Sequence, residues 1–175
     1  MGKLTDEQRS VYEQIIGAVE SKKGGVFFVY GFGGTGKTFL WNILSAAIQS
    51  TGDIVLNVAS SGIASLLLPG GRTAHSRFGI PINPDEFSTC NIEQGSDKAE
   101  VIAKASLIIW DEAPMMNKHC FEALDRTLCD IMKTTDERTF GGKVVVLGGD
   151  FRQILPVIPK GNRAGGTELI LLWLQ

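Results

Sequence analysis

The segment Gly31-Phe32-Gly33-Gly34-Thr35-Gly36-Lys37-Thr38 fits the pattern G-x-x-x-x-G-K-[ST] without a mismatch, and with its flanks it narrows the fold more than any other stretch. Before it, Val26-Phe27-Phe28-Val29-Tyr30 is an unbroken apolar run, long enough for a buried strand and too short for a helix. After it, Leu40, Trp41, Leu44, Ala47 and Ile48 recur every three or four residues, the period of an amphipathic helix. Glycines lack a Cβ, so backbone N–H groups can turn inward onto phosphate oxygens, and the following helix adds its partial positive charge. Strand, loop and helix together make an anion cradle lined by Gly31, Gly33, Gly34, Thr35 and Gly36. Lys37 would supply a point charge to the β and γ phosphates of a nucleotide. Thr38 would supply a hydroxyl to a Mg²⁺ whose other ligands are phosphate oxygens and water.

The chain has 175 residues, enough for one ordinary domain with a real core, and 43% apolar content agrees. Seventeen Lys and Arg against nineteen Asp and Glu leave a net charge of −2, so the chain lacks the global basic character of many nucleic-acid binders and any such contact is local. The three cysteines, Cys90, Cys120 and Cys129, have neither the even count of a disulfide framework nor C-x-x-C spacing, which points to an intracellular, reducing compartment. Met1 leads into polar residues with no apolar leader, and no apolar run approaches membrane-spanning length; neither secretion nor a membrane partner is expected.

Along the chain, Thr5 with Gln8 three residues later forms a capping box ahead of the helical stripe Val11, Ile15, Ile16 and Val19. That role accounts for Gln8. If the helix lies beside the phosphate loop, the Gln8 amide also has the donor and acceptor needed to read an adenine edge. Ile54-Val55-Leu56-Asn57-Val58-Ala59 is a second buried strand, and strand–helix–strand implies a parallel pair with a right-handed crossover. Ser60-Ser61-Gly62 opens a short helical stretch. Arg72-Thr73-Ala74-His75-Ser76-Arg77-Phe78 then mixes charge, hydroxyls, a histidine and an aromatic, a set that suits phosphates and bases. Its alternative is a polar turn with Phe78 in the core. Residues 80–97 have no sustained period and form an irregular insertion, followed by a short helix after Ser96.

Leu107-Ile108-Ile109-Trp110-Asp111-Glu112 is an apolar strand ending in two carboxylates, the form of a Walker B element. Asp111 would hold the metal shell. Glu112 would take or orient a proton of the attacking water. Asn117 caps a helix whose apolar face is Phe121, Leu124, Leu128, Ile131 and Met132; His119 and Cys120 on it are structural, since no partner stands at metal-ligand spacing. Lys143-Val144-Val145-Val146-Leu147 is a further buried strand, and the polar cluster after it, through Gln153, lies where open α/β sheets bind ligands.

Four elements in order, Thr5 to Gln8, the phosphate loop, Trp110-Asp111-Glu112-Ala113-Pro114-Met115 and Gly149-Asp150-Phe151-Arg152-Gln153, resemble the N-terminal RecA-like motor domain of superfamily-one DNA helicases of the PIF-one type. Ala59-Ser60-Ser61-Gly62-Ile63-Ala64 and Thr73-Ala74-His75-Ser76 look like that family's single-strand-contacting segments. The Asp-Glu-Ala-Pro-Met-Met stretch is similar to members in Helitron-type mobile elements and their cellular relatives. The resemblance implies a three-layer α/β RecA-like P-loop domain with a central, mainly parallel sheet over residues 1–164, followed by an atypical tail at 165–175. It further implies ATP and Mg²⁺ as cofactors, adenine at Gln8, Asp111 and Glu112 on metal and water, and the γ-phosphate at Gln153. Single-stranded DNA would lie on Ser61, Thr73, His75, Ser76, Arg77 and Phe78.

The implied activity is 5′-to-3′ unwinding coupled to ATP hydrolysis, in repair, recombination and telomere maintenance, in the nucleus or the mitochondrion. A second RecA-like domain with an arginine finger is expected in full-length relatives. An arginine finger is worth roughly 10³ to 10⁵ in kcat in related enzymes, so slow hydrolysis is expected of this chain alone. Two other classes stay open: a P-loop kinase or other ATPase, which would need an acceptor and show no strand-stimulated turnover, and a binding module that holds ATP or DNA and couples neither. The tandem Asp111-Glu112 and the later Gln153 favour the translocating ATPase.

Overall fold

The computed structural model describes residues 4–31, 35–134 and 138–150. The first helix, α1 (Asp6–Ser21), begins at the expected capping box: the Thr5 hydroxyl accepts from Gln8 N–H at 3.2 Å and the Gln8 amide oxygen accepts from Thr5 N–H at 3.1 Å. β1 (Gly25–Tyr30) leads to the phosphate loop, and α2 (Lys37–Ser50) leaves it with Leu40, Trp41, Leu44 and Ile48 buried. There follow β2 (Ile54–Ala59), the single-turn helix α3 (Gly62–Ser65), β3 (Arg72–Thr73), α4 (Ala74–Phe78), α5 (Asp97–Lys104), β4 (Ala105–Asp111), α6 (Lys118–Met132) and β5 (Val144–Gly149).

The strands form one sheet in the order β1-β5-β4-β2-β3, and every neighbouring pair is parallel. β1 and β2 are therefore in one sheet without pairing to each other, unlike the adjacent pair the sequence implied. The reason is burial. β4 and β5 are apolar on both faces and take interior places, whereas β1 alternates, with Val26, Phe28 and Tyr30 at 46%, 37% and 47% exposure, and takes an edge among the described strands. Val26-to-Tyr30 is thus half-buried rather than buried.

Successive side chains of a strand point to opposite faces, and here they divide the core in two. Val55, Ala59, Leu107, Ile109, Val144 and Val146 meet Ile15 of α1 and Leu40, Trp41, Leu44 and Ile48 of α2. Leu56, Val58, Ile108, Trp110, Val145 and Leu147 meet Phe78, Ile102, Phe121, Leu124 and Leu128. Helices on both faces of a parallel sheet are the expected three layers. On the first face Asn57 is a buried polar group that is satisfied: its amide donates to Ser45 Oγ at 3.0 Å and to the Pro69 carbonyl at 2.9 Å, tying β2 to α2.

Two attachments hold the irregular regions. The insertion at 80–97 is pinned to α6 by Arg126, which donates to the Ser88 carbonyl at 2.7 and 2.9 Å, and by Cys90 N–H, which donates to Thr127 Oγ1 at 2.9 Å. At the opposite edge from the phosphate loop, Lys143 donates to the carbonyls of Ala103 and Ala105, orphan acceptors at the end of α5; burial lowers its pKa. Among the described residues no helix is long and apolar enough to cross a membrane.

Candidate active site

In an all-parallel sheet every strand delivers its carboxyl end to the same edge, so the residues after β1, β5, β4, β2 and β3 stand in one row. Gly31 opens the row: its N–H donates to the Gly149 carbonyl at 3.2 Å, fixing the phosphate loop to the end of β5. A Cβ built on Gly31 would stand 2.5 Å from Thr35 Oγ1, so a larger residue here would have to displace the Thr35 side chain. Gly36, the last loop residue before α2, has φ of 82°, the left-handed region that glycine enters freely. The Lys37 ammonium donates to the Gly31 carbonyl. Replacing that neutral carbonyl by phosphate oxygens gives the lysine a stronger, charge-assisted partner. Gly33 and Gly34 lie outside the described residues, as does Gln153.

The condition attached to Gln8 is met. Its amide Nε2 donates to the Thr35 carbonyl at 3.2 Å, and a Cβ on Gly36 would stand 2.8 Å from that same nitrogen. The capping residue of α1 therefore lies against the phosphate loop, serving both the cap and the loop.

Asp111 and Glu112 are adjacent in sequence but aim apart. Asp111, opposite Ala59 in the β2–β4 register, shares the α2 face with Ile109 and Leu107; its Oδ1 stands 3.2 Å from a Cβ built on Gly148, beside the Trp41 ring. It is 9% exposed, and its Oδ1 accepts Glu112 N–H at 3.0 Å. Glu112 has φ 55° and ψ 33°, left-handed for a residue with a Cβ, and this turn sends its carboxylate sideways to the β2 loop. There Ser61 Oγ donates to Glu112 Oε2 at 2.6 Å. Thr38 on the first turn of α2 and Asp111 on the face that α2 covers supply hydroxyl and carboxylate oxygens, a donor set suited to Mg²⁺ bound mainly through phosphates and water.

β3 pairs with β2 through Val58–Arg72 and Ala59–Thr73, which places the 72–78 segment beside the Ser61 loop. Thr73 caps α4 by accepting Ser76 N–H at 3.3 Å. Arg72 and Ser76 are exposed, and His75 and Arg77 half-buried. Desolvation first, and then the neighbouring Arg72 charge, lower the Arg77 pKa; neither arginine is in an ion pair among the described residues, and buried Arg77 Nε has no hydrogen-bond partner. Two close guanidiniums without a carboxylate make an anion-seeking surface. Phe78 requires a correction. It is fully buried, its ring centroid 6.1 Å from that of Trp110, so its faces are spent in the core and it offers no base a stacking surface. His119 is paired with Glu122, Nδ1 to Oε2 at 2.7 Å.

Sequence reasoning missed the ties between strands. Ser60 N–H donates to the Asp111 carbonyl at 3.1 Å, and Ser60 Oγ accepts from Trp110 Nε1 at 3.0 Å, stapling the β2 loop to the end of β4. Only the adjacency of β2 and β4 reveals these partners.

Known proteins resemble this chain in sequence and fold. A family model described as PIF1-like helicase matches residues 3–172. The ATP-dependent DNA helicase PIF1 of Trypanosoma brucei brucei is 31% identical over 151 residues, which are 86% of this chain and 14% of that protein. Human ATP-dependent DNA helicase PIF1 is 27% identical over 161 residues, 91% of this chain and 23% of that protein. Among solved structures, Pif1 helicase from Bacteroides in complex with ADP-AlF3 and ssDNA superposes with a TM-score of 0.73 at 29% identity, over 97% of this chain and 37% of that one. Pif1 helicase from Candida albicans superposes at 0.72 with 26% identity, over 90% and 35%. The chain spans less than a quarter of the length of both curated relatives.

Proposed function

This chain belongs to the PIF1-like helicase family, and we propose that it is the ATP-binding motor domain of a DNA helicase. The observation that carries the reading is the single row at the carboxyl edge of the sheet: the phosphate loop after β1, then, across β5, the Asp111–Glu112 pair at β4, the Ser61 loop after β2, and Arg72 and Arg77 on β3 and α4. Lys37 and the loop amides bind the ATP phosphates, and Gln8, against the loop, reads adenine. Thr38 and Asp111 would hold Mg²⁺, which would supply charge neutralisation at the phosphates. Glu112 accepts a proton of the attacking water. Gln153 meets the γ-phosphate.

Single-stranded DNA lies across Ser61, Thr73, His75, Ser76, Arg72 and Arg77, held by phosphate contacts. In the whole protein a second RecA-like domain completes the groove and the arginine finger, and ATP turnover drives 5′-to-3′ translocation in repair, recombination and telomere maintenance in the nucleus or mitochondrion. Support for these finer roles comes from the family alone. Binding of a fluorescent oligo-dT, followed by anisotropy across a salt series, tests the DNA surface. Weak binding is expected, with a salt slope that flattens by about one for each arginine removed. Tight binding that survives His75→Ala with Arg77→Ala would place the strand elsewhere.

A further inference from the structure

The hydrogen bond between Ser61 and Glu112 joins the two halves of the row. Ser61 Oγ accepts Ala64 N–H at 3.2 Å, capping α3, and spends its one proton on Glu112 Oε2 at 2.6 Å, a short charge-assisted bond. A hydroxyl has a single proton to donate. While Glu112 holds it, no phosphate can receive it. The backbone sets the same choice, because the left-handed turn at Glu112 aims the carboxylate at the β2 loop, and Ser60 keeps that loop against β4 through the Asp111 carbonyl and Trp110 Nε1. Ser61 is half-buried at the border of an exposed surface that continues through Gly62 and Ile63, with Arg72 and Arg77, neither in an ion pair among the described residues, on the neighbouring strand and helix.

We propose that Ser61 is a positioning residue that couples strand binding to water activation: it holds the Glu112 carboxylate toward the β2 loop until a backbone phosphate of a single strand takes its proton and releases the carboxylate toward the nucleotide. The inference rests on the DNA-helicase reading and adds to it a molecular link between the two sites. Phosphate and carboxylate are both anionic acceptors of similar hydrogen-bond strength, so the exchange is nearly balanced and a bound strand can tip it. The Arg72 and Arg77 charges bring the phosphate to the competing position.

The test follows the Glu112 side-chain ¹³Cδ resonance at pH 8, assigned by its loss in Glu112→Gln, while oligo-dT binding is scored separately by anisotropy. Saturating oligo-dT should move the wild-type resonance to the position it has in strand-free Ser61→Ala, and should move the variant's own resonance less than half as far. Ser61→Thr, which keeps both hydroxyl and cap, should behave as wild type. Ser61→Asp caps α3 yet offers no proton, and its resonance should likewise lack the wild-type response to the strand. Inorganic phosphate at equal phosphate concentration should leave the wild-type resonance in place. A bound strand with an unmoved wild-type resonance, or equal movement in wild type and Ser61→Ala, overturns the coupling while leaving the DNA surface intact. An oligonucleotide that does not bind overturns the DNA reading and the coupling together.

Discussion

Gly148→Ala probes the wall behind the metal carboxylate. The position lies in β5 between β1 and β4, and the added Cβ would collide with Cζ2 of Trp41 and stand 3.2 Å from Asp111 Oδ1. Its φ is not in the left-handed region, so backbone strain does not enter and the effect is steric. The Trp41 ring is fully buried among Leu40, Leu44 and the sheet, leaving it no rotamer to escape into. Overpacking of this kind destabilises by about 1–3 kcal/mol, and the reduced freedom of the unfolded alanine chain offsets up to about 1 kcal/mol. The net loss should be roughly 1–2 kcal/mol, a fall in Tm of about 2–8 °C for a domain of this size. Circular dichroism melts and urea titration read the loss, and Mg²⁺-ATP affinity should drop with it because Asp111 is displaced.

Trp41→Phe removes the colliding lobe of the ring, so the double variant should recover much of what the two single substitutions lose. A Gly148→Ala protein as stable as wild type would refute the close approach of β5 to α2. Full additivity with Trp41→Phe would refute the collision as its cause.

Three further outcomes are expected. Glu112→Gln should leave ATP binding within a few-fold of wild type and lower hydrolysis by about 10² or more, read as single-turnover rates in the whole protein; an unchanged rate would reject Glu112 as the base. Burial pushes the Cys90 thiol up to about 11, so at pH 8 it should hold roughly a hundredfold less thiolate than an ordinary cysteine and alkylate correspondingly slowly, accelerating as pH rises toward that value; mass spectrometry of iodoacetamide-treated protein measures this, and reaction at the rate of free cysteine would contradict it. Asn57→Ala leaves Ser45 without its buried partner and opens a small void, so a loss of about 1–3 kcal/mol is expected in urea unfolding.

The elements that could be read from the chain were those with a local cause. The helix after the phosphate loop and the capping box at Thr5 follow from a 3.6-residue period and two side-chain oxygens three residues apart, and each forms within one element. Strand order did not follow, because β2, β4 and β5 are apolar on both faces and carry no alternation that assigns a neighbour. From the order come the contacts that matter most at the site: Gln8 on Thr35, Ser60 on Asp111 and Ser61 on Glu112 span 27, 51 and 51 residues. Phe78 shows the converse limit. An aromatic among arginines and hydroxyls has the composition of a stacking platform, yet the five-residue helix buries Ala74 and Phe78 on its inner side, and Phe78 meets Trp110 there.

Titration calorimetry of ATP into wild type and Lys37→Ala, each with and without Mg²⁺, tests the nucleotide site from which the whole reading is built. Lys37 is the cation that donates to the Gly31 carbonyl at the start of the loop, and its loss removes the loop's charged contact to the β and γ phosphates. Mg²⁺-dependent binding in wild type that weakens at least tenfold in Lys37→Ala is the predicted result. Equal affinity in the two proteins, or binding indifferent to Mg²⁺, would contradict the assignment of this edge of the sheet as an ATP site.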